Sequence, residues 1–349
     1  MPDETKTSKD VLKEMGESIM NQMSPNMLSM VLMGIILFFV ILYVFTMVHK
    51  QTYNCKLIES YPVQTMNSLS NDVLATPLCQ TYIKTAYNCC CTGDFKNDYV
   101  NACALLNCAR QGVRALDFTV YSLHGNPVIA AATLDSNKYK EMYNSMHFSK
   151  TMSQVKQMFL YDTVNCSNTT DPLFLIFRIQ SSNLNIYNKM GEILTSVFGD
   201  GNASGNKIYM PNTSLALDNE LISNLNGKVI ILVDITSISG FENTSLSTLT
   251  ALQLGTMYNQ IYRETVSYDL LESGNNPNVG FINVLYPNYQ AKSLNFDFNT
   301  VGLKQSFQFI GLNFQTDDVY LDAYNKMFTS SIYIQPLGTP ANPSPTVTS

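Results

Sequence analysis

Side chains able to do acid–base or metal chemistry are sparse in this sequence. Histidine, the usual proton-transfer residue near neutral pH, occurs only three times in 349 residues, at His49, His124 and His147. His49 abuts a long apolar run, His124 stands in a turn, and His147 precedes an amphipathic stretch. Each reads more simply as a surface histidine than as a catalytic one. Arg178 is more pointed, because it interrupts the apolar strand LFLIFRI (173–179). A guanidinium there must meet a carboxylate or an anion, since burying it unpaired is prohibitive. Asp117 and Asp234, both in apolar stretches, are the candidate carboxylates, and a retained phosphate site is the other reading.

The eight cysteines are Cys55, Cys79, Cys89, Cys90, Cys91, Cys103, Cys108 and Cys166. Their spacing matches no usual zinc pattern and no histidine accompanies them, so no metal site is expected. Disulfides among some of them are the first expectation, with buried free thiols the alternative in a reducing compartment. A cysteine nucleophile would need a general base, and none is evident.

The elements that must position these residues alternate. Tyr82–Asn88 and Val113–Tyr121 read as strands on either side of a helical Asn101–Gln111. Val128–Thr133 reads as a further strand. Lys150–Tyr161 is amphipathic, Leu173–Ile179 is a strand, and Leu184–Phe198 is a helix ended by Gly199. Lys228–Ile235 has the continuous apolar character of a strand buried on both faces. Gly280–Leu285 and Phe307–Asn313 complete the series. This alternation predicts a parallel sheet wrapped by helices, either a barrel or a doubly wound sheet.

Ahead of this body lies MLSMVLMGIILFFVILYVFTMV (27–48), 22 residues without a charge. As a helix it spans roughly 30 Å, the thickness of a bilayer core. Ser24-Pro25 supplies a helix start. The run is too long and too far from residue 1 for a cleaved signal peptide, so it is expected to be a retained signal-anchor helix. Residues 1–26 form a polar or amphipathic segment: Val11, Leu12, Met15, Ile19, Met20 and Met23 share a helical face that suits a membrane surface or a partner, and a frayed tail is the other reading. Residues 49–78 are expected to be a stalk, 79–338 the folded domain, and 339–349 a disordered Pro/Ser/Thr tail. Lysine placement favours a cytoplasmic N-terminus, hence type II topology with an exoplasmic or lumenal C-terminal domain. All eight cysteines lie beyond the anchor, in keeping with an oxidising compartment. Five Asn-X-Ser/Thr sequons decide nothing. A formal net charge of −6 without a basic block argues against nucleic acid as a partner.

Four ordered segments carry a resemblance: YIKTAYN (82–88); QGVRALDF (111–118) with NPVIAAAT (126–133); DPLFLIFRIQS (171–181) leading through SVFGD (196–200) to LNGKVIILVD (225–234); and residues 283–328, with LYP, SLNF, FIGLNFQT and DAYNKMF, followed by SIYIQPLG (331–338). Together they resemble the catalytic barrel of phosphatidylinositol-specific phospholipase C. The resemblance implies a TIM-type (β/α)8 barrel, distorted or incompletely closed.

It also implies a chemistry that this sequence lacks. In the family one His acts as base on the inositol 2-hydroxyl and a second protonates the leaving alkoxide, while calcium or an arginine stabilises the phosphorane. The first His position falls on Tyr87, with the neighbouring asparagine kept as Asn88. The second falls in Ala130–Ala132, centred on Ala131. Asp117 matches the acidic residue of the second strand. Thr119 stands where calcium-dependent members have an aspartate and others an arginine, and Arg178 falls at or near a calcium-ligand glutamate. The phosphate-binding lysines would fall on Leu232 and Asp234, the inositol-binding arginine on Val284, and the stacking tyrosine on Phe296.

Losing a general acid or base costs ~10²–10⁴-fold per group, so the pocket is expected to be vestigial, its calcium site lost and no cofactor bound. The leading expectation is a membrane-anchored, catalytically degenerate barrel used as a structural or binding module. It would contact the bilayer through residues 27–48, with protein partners, in a setting such as the virion membrane or minor capsid of a large DNA virus. The alternatives are an active phosphoric diester hydrolase on phosphoinositide-type lipids, its site rebuilt around Tyr87 and Asp117, and an inositol- or glycan-binding receptor that keeps the pocket through Arg178.

Overall fold

The computed structural model describes Lys13 and residues 24–134, 138–199, 206–210, 216–236, 238–272, 280–305 and 307–334. The amphipathic face proposed for residues 11–23, apart from Lys13, and the tail 339–349 lie outside the described residues. The chain divides into two compact units, residues 1–53 and 54–349.

The first described helix, α1 (Pro25–Glu59), starts at the expected Ser24-Pro25 pair, with Ser24 Oγ accepting from the Met27 amide at 3.3 Å. It is long and apolar enough to cross a membrane. Its apolar stretch is exposed almost throughout, as suits a helix whose neighbours are lipid. The helix continues eleven residues past the expected anchor end at Val48.

Residues expected to be a stalk are in part laid along the second unit. The Gln64 amide donates to the Arg110 carbonyl (2.9 Å), Asn67 to Thr329 (2.9 Å) and Leu78 to Glu220 (2.9 Å), while Ile58, Met66 and Leu78 are buried. A single disulfide, Cys55–Cys103, ties the last turns of α1 to the start of α2 (Ala102–Arg110). The other six thiols are buried and reduced.

The second unit is a nearly closed barrel of eight parallel strands. Its members in chain order are β1 (Thr81–Ala86), β2 (Ala115–Leu123), β5 (Leu173–Ile179), β6 (Val229–Asp234), β7 (Leu252–Leu254), β8 (Ile261–Arg263), β9 (Val284–Tyr286) and β10 (Phe309–Leu312). Around the wall the order is β7-β6-β5-β2-β1-β10-β9-β8, and the seam lies between β7 and β8, which pair only with their other neighbours. Helices α3 (Phe148–Lys156), α4 (Leu184–Phe198), α5 (Glu264–Glu272) and α6 (Val319–Met327) follow the strands. A last strand, β11 (Ile332–Ile334), pairs antiparallel with the start of β1.

Period-two alternation decides what faces inward. On β5, Phe174 meets Phe309 of β10 across the barrel with ring centroids 5.2 Å apart, whereas Phe177 meets Phe148 of α3 on the outside at 5.4 Å. Ile176 and Arg178 therefore share the inner face with Phe174. Because Thr119 of β2 stands in register with Arg178, Asp117 and Thr119 face inward too. All seven residues of β5 are buried, since the interior covers one face and helices the other.

The strand expected over Val128–Thr133 is not a barrel strand. It appears as β3 (Asn126–Ile129), which folds back antiparallel on β2 and carries β4 (Met146–His147) outside the parallel wall. The Gly125-Asn126-Pro127 punctuation closes a hairpin there, with His124 and Gly125 both at positive φ. The helical reading of Lys150–Tyr161 holds with a change of winding, because Gln157–Tyr161 is π-helical.

Lys84 of β1 points outward and is fully buried. Its Nζ donates to Gln64 Oε1 at 2.5 Å and lies 6.0 Å from the ring centroids of Phe314 and Phe328. Desolvation holds its amine well below the ordinary value of 10.5. Between those two values the unfolded chain binds a proton that the folded chain does not. This group's contribution to stability is therefore full above pH 10.5 and is lost as pH falls through the depressed value. Lys84→Met is expected to flatten that dependence and to stabilise the fold at pH 7 by about 1–4 kcal/mol, read from urea melts at pH 7 and pH 10. A variant less stable than wild type at pH 7 would refute it.

Candidate functional site

The C-terminal ends of β1, β2, β5, β8 and β9 converge at the barrel mouth. β1 ends at Ala86, so Tyr87 and Asn88 lie in the turn beyond it. Asn88 adopts φ 45°, a left-handed conformation that Asn tolerates better than most residues. That turn aims its amide N–H at Asp117 Oδ2 (2.9 Å) and leaves its side-chain Oδ1 facing Arg178 and Thr119.

Arg178 and Asp117 form a bidentate pair, Nε to Oδ1 at 2.8 Å and Nη2 to Oδ2 at 2.7 Å, with both side chains essentially unexposed. The guanidinium also donates through Nη2 to Asn88 Oδ1 (3.0 Å), and Thr119 Oγ1 donates to the same oxygen (2.8 Å). Tyr286 OH donates to Asp117 Oδ1 at 2.9 Å. Its phenol is held well above 10, first by burial and then by the carboxylate beside it. The Asp117 carboxylate thus receives four hydrogen bonds, enough to satisfy its acceptor capacity.

Aromatic rings complete the plug. Arg178 Cζ lies 4.7 Å from the Tyr87 ring centroid and 5.3 Å from that of Tyr286, and these two rings are 4.7 Å apart. Arg263, at the end of β8, lies 5.3 Å from Tyr87, 5.5 Å from Tyr286 and 3.9 Å from Tyr289, and donates to Tyr87 OH (3.2 Å) and the Pro287 carbonyl (2.9 Å). The space left beside Asn88, Asp117, Thr119 and Ala130 does not admit a water molecule. Chemically, then, this centre is a satisfied ion pair under an aromatic cover. Neither the pair nor the rings around it include a histidine.

Of the residues singled out from sequence, Tyr87, Asn88, Asp117, Thr119 and Arg178 meet in this cluster, and of the two candidate carboxylates Asp117 takes the bidentate contact. Ala131 is fully buried and its carbonyl accepts from the Glu141 amide (2.9 Å), while its neighbour Ala130 borders the cluster. Val284 lies on the inner face one layer below Tyr286. Leu232 and Phe296 are core residues. Asp234 stands in register with Arg178 and turns Oδ1 to Thr236, accepting from its amide (3.0 Å) and its hydroxyl (2.5 Å). Among the described residues no cluster of three or more His, Cys, Asp or Glu is placed to hold a metal ion.

Sequence reading missed Tyr286, Arg263 and Tyr289. Tyr286 sat in the quoted LYP motif without a role. Arg263 ends a three-residue strand too short to show alternation, although an arginine closing such a segment is the same signal that exposed Arg178.

No protein-family model matches the chain, and no curated protein matches it in sequence. Among solved structures, PLC21 of S. officinalis superposes with a TM-score of 0.61 at 14% identity, over 75% of this chain and 37% of that one. PLC21 of L. pealei gives 0.59 at 15% identity, over 75% and 38%. The barrel has a PLC-like fold. At such identity the likeness is one of fold, and the chain spans well under half of either neighbour's length. The PLC-like barrel explains why the cluster lies where it does, since sites in parallel barrels form at the C-terminal ends of the strands.

Proposed function

We propose that this chain is a membrane-anchored, catalytically degenerate PLC-like barrel that serves as a structural or binding module. The observation that carries the reading is the closed mouth, in which Arg178 is spent on Asp117, Asn88 and aromatic faces while Tyr87 and Ala131 occupy the positions where the resemblance calls for histidines. A phosphodiester needs a base, an acid and a cation with room for the phosphorane, and the plug supplies none of these in usable form. The same closure counts against an inositol receptor built on Arg178. The reading extends to a type II orientation, to an ancestral calcium site now lost, and to protein partners in an assembly such as a virion membrane. Its support there is the apolar helix, the disulfide beyond it, and a low-charge surface rich in Asn and Tyr.

The test is a lipid-cleavage assay on the full-length chain in mixed vesicles containing phosphatidylinositol, with calcium and with chelator. Inositol phosphate release indistinguishable from protein-free vesicles is expected. Turnover of even about 1 s⁻¹, a modest rate for an enzyme, would overturn the degenerate reading and restore the hydrolase alternative.

A further inference from the structure

The loops that follow β1, β3 and β9 are bonded into one surface. The Phe95 amide donates to the Ala291 carbonyl (2.8 Å) and the Ser293 amide to Asp94 Oδ1 (3.3 Å). On the other side the Asn97 amide donates to the Glu141 carbonyl (3.1 Å), and the Tyr143 amide to that of Asp98 (2.9 Å). Tyr139, Tyr143, Tyr289 and Leu294 are all exposed on these loops, Tyr139 by 81% and Leu294 by 51%. Lys96, Lys138 and Lys292 are exposed among them. Acids of the same loops are engaged within the surface. Glu141 pairs with Lys96 (3.1 Å), Asp94 accepts from Ser293, and the buried Asp98 accepts from Asn54 Nδ2 (2.9 Å). Tyrosine and leucine set among lysines suit a lipid–water interface, where amphipathic rings sit at headgroup level and lysine amines reach past their apolar stems toward the phosphates.

Chain length names what covers this surface. Asn54, which holds Asp98, stands six residues after Val48, the last of the uncharged run. Six residues reach about 20 Å at full extension. A run that spans a bilayer therefore keeps residues 93–98 within roughly that distance of the hydrocarbon edge. The Cys55–Cys103 disulfide fixes the next residue to the same end of the barrel and removes the slack beyond Asn54. So short a tether makes any second contact with the membrane intramolecular, at a high effective concentration. We propose that these loops rest on the bilayer, with Tyr139 and Leu294 at the acyl-chain boundary and Lys138 and Lys292 at the lipid phosphates. The proposal rests on the reading of residues 27–48 as the anchor. It holds in either topology and whether or not the mouth is catalytic.

The chain contains no tryptophan, so a single introduced one reports alone. The reporters are Leu294→Trp and Tyr139→Trp, with Val164→Trp as control. Val164 is 88% exposed, in the loop before β5 at the opposite end of the barrel. Each full-length variant is reconstituted in phosphatidylcholine vesicles with and without bromine at acyl positions 6 and 7. Emission at least about twofold weaker in the brominated vesicles is expected for Leu294→Trp and Tyr139→Trp, as for rings at an aromatic belt, and unchanged emission for Val164→Trp. Failure of either reporter to quench, or equal quenching at Val164→Trp, would overturn the proposal and leave the surface to a protein partner. Alkaline carbonate extraction of the same vesicles reads the anchor by itself. A chain retained in the membrane with unquenched reporters overturns the resting surface alone, whereas a stripped chain overturns the anchor with it.

Discussion

Arg178→Met is expected to cost about 3–5 kcal/mol of folding stability, the usual penalty for removing one partner of a buried ion pair. Asp117 would keep its bonds from the Asn88 amide and Tyr286 OH but lose both guanidinium donors and, among the described residues, the only countercharge bonded to it. Asn88 Oδ1 would keep only Thr119. The loss should come from the stranded charge rather than from the missing contact, and the double variant Asp117→Asn/Arg178→Met separates the two. With the charge gone, the pair position becomes neutral and similar in volume, and more than half of the lost stability should return. Urea denaturation of the wild type, both single variants and the double variant measures the coupling. A loss under about 1 kcal/mol for Arg178→Met would mean that the pair is solvated, and with it that the mouth is open.

Arg114→Met should be at least as damaging, about 3–9 kcal/mol, taking ~1–3 kcal/mol for each of the three buried carbonyls left without a donor. Arg114 stands one residue before β2 and is fully buried. Its guanidinium donates to the carbonyls of Pro172 (3.1 Å), Phe159 (2.9 Å) and Asp171 (2.5 Å), with the Cys166 sulfur also in reach at 3.8 Å. Phe159 lies in the π-helical turn, where the wider winding disturbs the usual carbonyl-to-amide ladder. One side chain thus pins the end of α3, the loop before β5 and the start of β2. Arg114→Lys should recover less than half of the loss, because an ammonium is a point donor and cannot span three carbonyls set around a fork. Full rescue by lysine would show that charge, not geometry, is what the site requires.

How far each element could be read from the chain depended on its length and its punctuation. Leu173–Ile179 and Leu184–Phe198 appear in the structure with the limits read from sequence, because an uninterrupted apolar run and a helical period closed by Gly199 are local patterns. β7 and β8, three residues each, were not legible. Too short to show a period, they are strands only because neighbours on the wall offer hydrogen bonds. The Val128–Thr133 stretch misled for the opposite reason. Its apolar content marks a buried strand, but the hairpin turn before it, not the side chains, sends it back along β2 instead of across the barrel.

The same division holds for the site. The resemblance implied the PLC-like barrel and put Tyr87 and Ala131 at its histidine positions, while from the sequence by itself came the alternation of strands and helices, the apolar helix ahead of it and the requirement that Arg178 find a negative partner. These follow from residue type and short-range spacing. Which carboxylate takes the bidentate contact, that Tyr286 and Arg263 close over the pair from more than eighty positions away, and that Cys55 joins Cys103 among eight cysteines were decided by tertiary structure alone. Each is a contact between distant segments, and barrel register and the path of residues 54–78, not local propensity, bring those segments within a hydrogen bond of one another.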